Sequence, residues 1–181
     1  MLPVMILAMR KILAVLAACG LAASVFAYIG SYLGMTMDGA FRLAILLHVG
    51  VFILLAPMYA VDYGAVKERS FFWKGFSHCM PKWVVPTIKL LGVVFLVHFC
   101  LFLIESHAAS PQIKDGQYVL DNHGQIVKVL TQREYFGLKG AELRLFATGW
   151  MFFYFVPAAY WWFPRNQGRL PADVSLGTGS S

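Results

Sequence analysis

The stretch Trp83–Glu105, WVVPTIKLLGVVFLVHFCLFLIE, decides the fold class because it is long and apolar enough to cross a lipid bilayer. Lys89 lies near its start, where a lysine can extend its ammonium group to the lipid headgroups. His98 lies in its apolar interior. A histidine inside a membrane span is energetically costly and needs either a polar partner or a function.

Three more apolar runs accompany this stretch. The chain is 59% hydrophobic and 13% charged, whereas soluble domains carry about 25% charged residues. We therefore expect an all-α membrane protein, a single four-transmembrane-helix bundle over residues 1–163. Its expected spans are about 12–35, 43–61, 84–104 and 143–163.

The first run has two interpretations. Arg10, Lys11 and the apolar residues that follow resemble a cleavable signal peptide with a small-residue site ending at Ala27. The apolar run continues past Ala27, and apolar residues also precede Arg10, which favours an uncleaved span. Small residues four apart predict close helix packing on one stripe. These residues are Ala14, Ala18 and Ala22.

Residues 64–82 contain an aromatic segment, FFWKGFSHCM. At about 100° per residue, Phe72, Trp73 and Phe76 share one arc, which predicts an amphipathic helix on the cytoplasmic membrane surface. An irregular aromatic loop is the alternative. Trp161 and Trp162 predict an aromatic membrane-interface belt at the end of the fourth run. The polar tail, 164–181, is expected to be disordered in the cytoplasm.

The only sizeable polar segment, 106–142, is expected to form an extracytoplasmic insert. Two short β-rich runs around Asp121–Gly124 predict a β-hairpin. Thr131 and Glu134 have capping-box spacing, so we expect a short helix of about 132–139, ended by Gly140. Three aromatic residues either bind a partner or pack the hairpin on this helix. They are Tyr118, Tyr135 and Phe136.

The distribution of basic residues predicts the orientation. Lysines and arginines without balancing acids flank the cytoplasmic ends of the expected spans, while the insert is balanced in charge. The positive-inside rule then places both termini in the cytoplasm and the insert outside. Compactness and the absence of eukaryotic sorting signals point to a bacterial inner (plasma) membrane. The net charge of +6 lies at span ends, which argues for lipid headgroups as partners and against nucleic acid.

His48 and His98 are expected at similar depths in neighbouring spans. Two level histidines are one way to hold a b-type haem as axial ligands. Binding of a metal ion and the handling of protons or a ligand are further alternatives. A last alternative is that the histidines form interhelical hydrogen bonds, with each other or with Tyr28, Ser31, Thr148 or Glu105, and specify packing.

No catalytic or metal-binding motif emerges from the residue pattern. Glycine-rich phosphate loops, nucleophile elbows and HExxH sequences do not occur. The function that we expect is a non-enzymatic accessory or protein-interaction subunit that binds another membrane protein or a second copy. A haem-binding redox protein and a small oligomeric transporter are the alternatives.

Overall fold

The computed structural model describes residues 2–61 and 80–163, which form four helices and one small sheet. In chain order these are α1 (Leu2–Tyr32), α2 (Phe41–Val61), α3 (Val84–Ser106), β1 (Ser110–Lys114), β2 (Gln117–Asn122), β3 (Gln125–Val129) and α4 (Gln132–Trp162). The aromatic segment with Phe72, Trp73 and Phe76 and the tail 164–181 lie outside the described residues, so their expected structures stay predictions.

Helix α4 is the central helix of the bundle. It packs against α1 and α3 along much of its length and also against α2. Residues 147–151 are all buried, so every face of the helix is covered at this level. Contacts between membrane helices are enriched in small and polar residues, and α4 accordingly contains Thr148 and Gly149, together with several tyrosines and tryptophans.

Helix α1 runs antiparallel to α4. Arg10 near its start donates a hydrogen bond to the carbonyl oxygen of Phe163 at 3.0 Å, and its last residue, Tyr32, lies under the guanidinium group of Arg144 at 4.9 Å. The sequence predicts a packing stripe that contains Ala18 and Ala22. This prediction was wrong, because both side chains are exposed. The buried small residues follow a seven-residue repeat instead, which keeps one stripe facing a neighbouring helix. Ala17, Ser24 and Ser31 have this spacing, and Ala14 and Ala27 are buried beside them.

The expectation of four transmembrane helices was wrong. Among residues 2–61 and 80–163, three helical segments are long and apolar enough to cross a membrane, Ala8–Tyr32, Phe41–Ala60 and Val84–Ser106. The expected fourth span is part of α4, whose first turns carry charged residues and whose later turns are rich in tyrosine and tryptophan. Its apolar character is directed at the other helices, so its hydropathy is lower than that of a lipid-facing span.

The expected short helix also needs correction. Gly140 does not end a helix at about residue 139, because α4 continues without interruption to Trp162. Gly140 is buried, and a Cβ atom there would lie 3.5 Å from the carbonyl oxygen of Ser31. This is an ordinary van der Waals distance, so the contact places Gly140 in the α1–α4 interface without requiring a glycine there.

The polar segment forms a three-stranded antiparallel sheet in the order β1–β2–β3, where a two-stranded hairpin was expected. Asp115 and Gly116, both with positive φ, form a tight turn between β1 and β2. His123 and Gly124 do the same between β2 and β3. Two positive-φ residues in a two-residue turn match the right-handed twist of hairpin strands.

The sheet is fixed on the first turns of α4. The capping box is present, with the Thr131 hydroxyl accepting a hydrogen bond from the backbone of Glu134 and the Glu134 carboxylate accepting one from the backbone of Thr131. A separate apolar cluster joins the two elements. It contains Ala109, Leu120, Leu130, Tyr135 and Leu138. We call the sheet and residues 131–142 together the polar module.

Candidate functional site

A hydrogen-bonded network fastens the polar module to the α1–α2 turn. The hydroxyl group of Tyr135 donates to Oδ2 of Asp38 at 3.1 Å. Nζ of Lys139 lies 3.3 Å from Oδ1 of Asp38 and 3.1 Å from Oε2 of Glu142. The turn after α1 and the polar module therefore lie at the same end of the helices.

Burial and neighbouring charges have opposite effects on the pKa of Lys139. Burial of its ammonium group would lower the pKa, but the carboxylates of Glu142 and Asp38 outweigh that effect and raise it. The pKa of Tyr135 is raised by burial and by its hydrogen bond to Asp38, so its hydroxyl group stays protonated and keeps donating.

The three aromatic residues predicted for partner binding are brought together, but they differ in exposure. The rings of Tyr118 and Tyr135 lie 4.7 Å apart, and the Phe136 ring lies 5.3 Å from that of Tyr135. Tyr135 is buried and Tyr118 is half-buried, so both pack the module on its own helix. Phe136 is 47% exposed and is the member of the group whose ring is open to a partner.

Strand β3 is the most exposed apolar element of the module. All of its residues are exposed, and Ile126, Val127 and Val129 are 54%, 52% and 60% exposed. In the described part of the chain, β3 has a strand neighbour on one side, since it lies at the edge of the sheet. A continuous apolar edge of this kind is typical of a surface that another molecule covers.

An irregular register limits how β3 pairs. Lys128 is opposite Leu120 while Ile126 is opposite Asp121, so Val127 is an extra residue without a register partner. A bulge of this kind twists an edge strand and disfavours pairing with an identical strand, as does an edge lysine. The apolar side chains of β3 are thus available for docking while its backbone resists strand addition.

The turn between β2 and β3 is held by a buried carboxylate. Asp121 accepts a hydrogen bond from Nζ of Lys114 at 2.6 Å and one from the backbone of Gly124 at 3.2 Å. The hydrogen bond from Lys114 and that from Gly124 lower the pKa of Asp121 although burial opposes them. The hairpin that carries β3 is therefore ordered by ionic as well as apolar contacts.

The two histidines predicted as haem ligands have different neighbours. Nε2 of His98 lies 3.5 Å from the hydroxyl oxygen of Tyr28, and Nδ1 lies 2.9 Å from the carbonyl oxygen of Val94. His48 is exposed, and its ring contacts that of Phe52 on its own helix. Among the described residues, His98 thus has the interhelical partner expected of a packing role, and haem binding stays a prediction that these contacts do not support.

Polar groups continue from His98 towards the module. The hydroxyl oxygens of Tyr28 and Tyr32 are 3.1 Å apart, and the Tyr32 ring lies beneath Arg144 of α4. Tyr28 was considered as a histidine partner from the sequence, whereas Tyr32 and Arg144 were not. The one sequence feature that could have indicated the Tyr28–Tyr32 contact is the four-residue spacing of the two tyrosines, which puts them on one face of a helix.

The predicted interfacial tryptophans differ as well. Trp162 is exposed, as an interfacial ring would be, whereas Trp161 is buried and its ring packs edge-on against Tyr160 at 4.6 Å. Among the residues that the structure describes, no group of three side chains is arranged to bind a metal ion.

No protein-family model, curated protein or solved structure matches the chain.

Proposed function

We propose that the chain is a multi-pass accessory subunit that binds a partner protein through the exposed face of its polar module. The observation that carries this proposal is the edge strand β3, whose apolar side chains are exposed although the module around it is firmly ordered. Three helices long and apolar enough to cross a membrane support its attachment to a lipid bilayer.

The docking surface that we propose combines β3 with Phe136. The Phe136 ring lies 6.1 Å from that of Tyr118, whose carbonyl oxygen accepts a hydrogen bond from the backbone directly after β3, at Leu130. The aromatic side chain thus extends the apolar surface of the strand. Interfaces are enriched in aromatic residues at such positions. The bulge at Val127 supports a different protein as the occupant, since it disfavours pairing with a second copy of β3.

We further propose a bacterial inner membrane as the location, with the polar module outside and both termini in the cytoplasm. The excess of lysine and arginine near the termini and in residues 64–82 supports this orientation. Maleimide labelling of intact cells tests it on a background in which the three natural cysteines are replaced. Gln125→Cys should be labelled from outside and Leu170→Cys should not, and labelling at position 170 would reverse the proposed threading.

The docking proposal is tested by the double variant Val127→Ser/Val129→Ser. Both residues are exposed, so we expect little effect on stability but loss of proteins that co-purify from mild detergent. Ile113→Ser on the opposite edge strand is the matched control, because its side chain is equally exposed at 57%. An unchanged set of co-purified proteins in the β3 variant, or equal losses in both variants, would refute the assignment to β3.

A further inference from the structure

A cleft lies where the end of α3, strands β2 and β3, and the first turns of α4 meet. Its volume is about 300 Å³, which is at the lower end of the range for small-molecule sites. Buried leucines line it, namely Leu120, Leu130 and Leu138. Because α3 is apolar up to this point, the cleft lies at the level where a membrane-crossing helix ends.

The charges on the cleft wall do not cancel. Nζ of Lys128 lies 2.7 Å from Oε1 of Glu134, and this hydrogen bond and those with Thr131 lower the pKa of Glu134 to about 2. The Glu134 carboxylate therefore stays ionised at physiological pH, and the charge of Lys128 beside it balances its own. Glu105 also lines the cleft, and it forms no ion pair or hydrogen bond with any residue of 2–61 or 80–163.

Glu105 is exposed, and His107, which also lines the cleft, forms no ion pair or hydrogen bond with it. This unpaired carboxylate favours a positively charged group. A metal ion needs several oxygen or nitrogen ligands around it, and the described residues contain no such group of three. One carboxylate beside an apolar floor instead suits an organic ammonium group, which a single charge-assisted hydrogen bond can hold.

Gly137 adds an independent observation. It lies inside α4 on the cleft wall, and a Cβ atom added there would meet no other atom within 4 Å. Gly149 in the same helix differs, because an added Cβ would lie 3.1 Å from the Phe95 ring. Glycine is a poor helix former, and no packing contact requires one at position 137. Its effect on the structure is to leave the cleft open.

We propose that this cleft binds a primary ammonium group carried by an amphiphile, with the ammonium group at Glu105 and the apolar chain over the leucine floor. The bilayer supplies such molecules as aminophospholipids, and the surrounding solution supplies them as long-chain alkylamines. This site is separate from the docking surface on β3, so either proposal can fail without the other.

Titration of the purified protein in phosphatidylcholine nanodiscs with decylamine tests the site. Decylamine should bind saturably, while decanol, which has the same chain without the charge, should bind at least about tenfold more weakly, the loss expected when a charge-assisted hydrogen bond is removed. Equal affinity for the two compounds would overturn the assignment of an ammonium group.

Two variants address the site itself. Glu105→Gln removes the charge at constant shape, and Gly137→Leu adds an apolar side chain on the cleft wall, where an added Cβ atom meets nothing within 4 Å. Each should weaken decylamine binding by about tenfold or more. Asp115→Asn is the matched control, because it removes a carboxylate that does not line the cleft. Unchanged binding by Gly137→Leu, or equal losses in Glu105→Gln and Asp115→Asn, would overturn the proposal.

A competition experiment distinguishes a ligand that comes from the bilayer from one that comes from the surrounding solution. If phosphatidylethanolamine in the nanodisc displaces decylamine from the wild-type protein but has no effect in Gly137→Leu, the bilayer supplies the ligand. If decylamine binds to the cleft without such competition, the solution supplies it. Both results support an ammonium site.

Discussion

The hydroxyl group of Tyr135 donates a hydrogen bond to Oδ2 of Asp38, joining two residues that are 97 positions apart in the chain. Asp38 belongs to the turn between α1 and α2, and Tyr135 is in the second turn of α4. Because Lys139 also contacts Asp38, one exposed carboxylate connects the α1–α2 turn to the polar module.

Tyr135→Phe should loosen this connection while keeping the ring in its apolar cluster. We expect the contact to lose about 1 kcal/mol of stabilising free energy, the usual net value of one hydrogen bond. The loss should be measurable as faster backbone hydrogen exchange in residues 36–40. Tyr118→Phe is the control, since the hydroxyl group of Tyr118 has no hydrogen-bond partner among the described residues. Equal exchange in the two variants would mean that the Asp38 contact is not stabilising.

Gly50→Ala should destabilise the helix bundle through Tyr154. The Tyr154 hydroxyl donates to the carbonyl oxygen of Leu47 at 2.8 Å, and a Cβ at position 50 would overlap that hydroxyl. Overpacking of this kind costs about 1–3 kcal/mol, measurable by unfolding in mixed micelles. Gly137→Ala is the control, since its Cβ would meet open space and improve helix propensity.

The contact between Tyr154 and position 50 predicts that two substitutions have non-additive effects on the free energy of unfolding. Phenylalanine at position 154 lacks the oxygen atom that an alanine at position 50 would overlap. Tyr154→Phe should therefore relieve much of the cost of Gly50→Ala, so that the double variant is more stable than the sum of the single effects predicts. Strict additivity would show that the overlap lies elsewhere.

Acid should weaken the polar module. The pKa of Glu134 is about 2 in the folded chain, below its ordinary value of 4.5, chiefly because of the hydrogen bond with Lys128. A lowered pKa stabilises the folded state above pH 4.5, and this contribution is lost as the pH falls from about 4.5 towards 2. Hydrogen exchange in β3 should speed up over that window.

Glu134→Gln isolates this contribution, because a glutamine keeps capping ability but cannot titrate. The variant should show less stability at neutral pH and a flatter acid response. Asp121, whose pKa is also lowered, retains its own acid response in this variant. If the stability of Glu134→Gln keeps the full wild-type pH dependence, groups other than Glu134 cause the acid sensitivity.

The two histidines should behave differently on replacement. His98→Ala removes a side chain that contacts Tyr28 of α1, so it should lower bundle stability, whereas His48→Ala removes an exposed ring and should change stability little. An absorption spectrum of the purified protein accompanies this comparison. A Soret band lost in both variants would contradict the separate roles and support haem ligation.

Sequence periodicity and local chemistry predict much of this fold. Hydropathy locates α1, α2 and α3 because most of their exposed residues are apolar. Thr131 and Glu134 mark the start of α4 because a capping box is a local interaction between neighbours in sequence. The Asp115–Gly116 pair was a usable signal for the first hairpin that the sequence interpretation missed.

Other features depend on contacts between distant segments. The central position of α4 is not encoded in its own hydropathy, because enclosure by other helices allows polar and aromatic residues along it. Gly140 has the sequence context of a helix end, and only the continuous helix of the structure shows that it lies in the α1–α4 interface, near Ser31. Likewise, Asp38 lies in an unremarkable turn until Tyr135 and Lys139 meet it.

Helix α4 is unbroken for 31 residues, from the capping box beside β3 to the end that receives the hydrogen bond from Arg10. At 1.5 Å per residue it is a rod of about 46 Å. Pro157 lies near the far end of this helix, where a missing backbone hydrogen bond allows bending, whereas the part between Gln132 and Val156 contains no proline. Tilting of the polar module, for example by the partner that we propose, should therefore move the same helix as a lever up to the turn before Pro157 and bend it there.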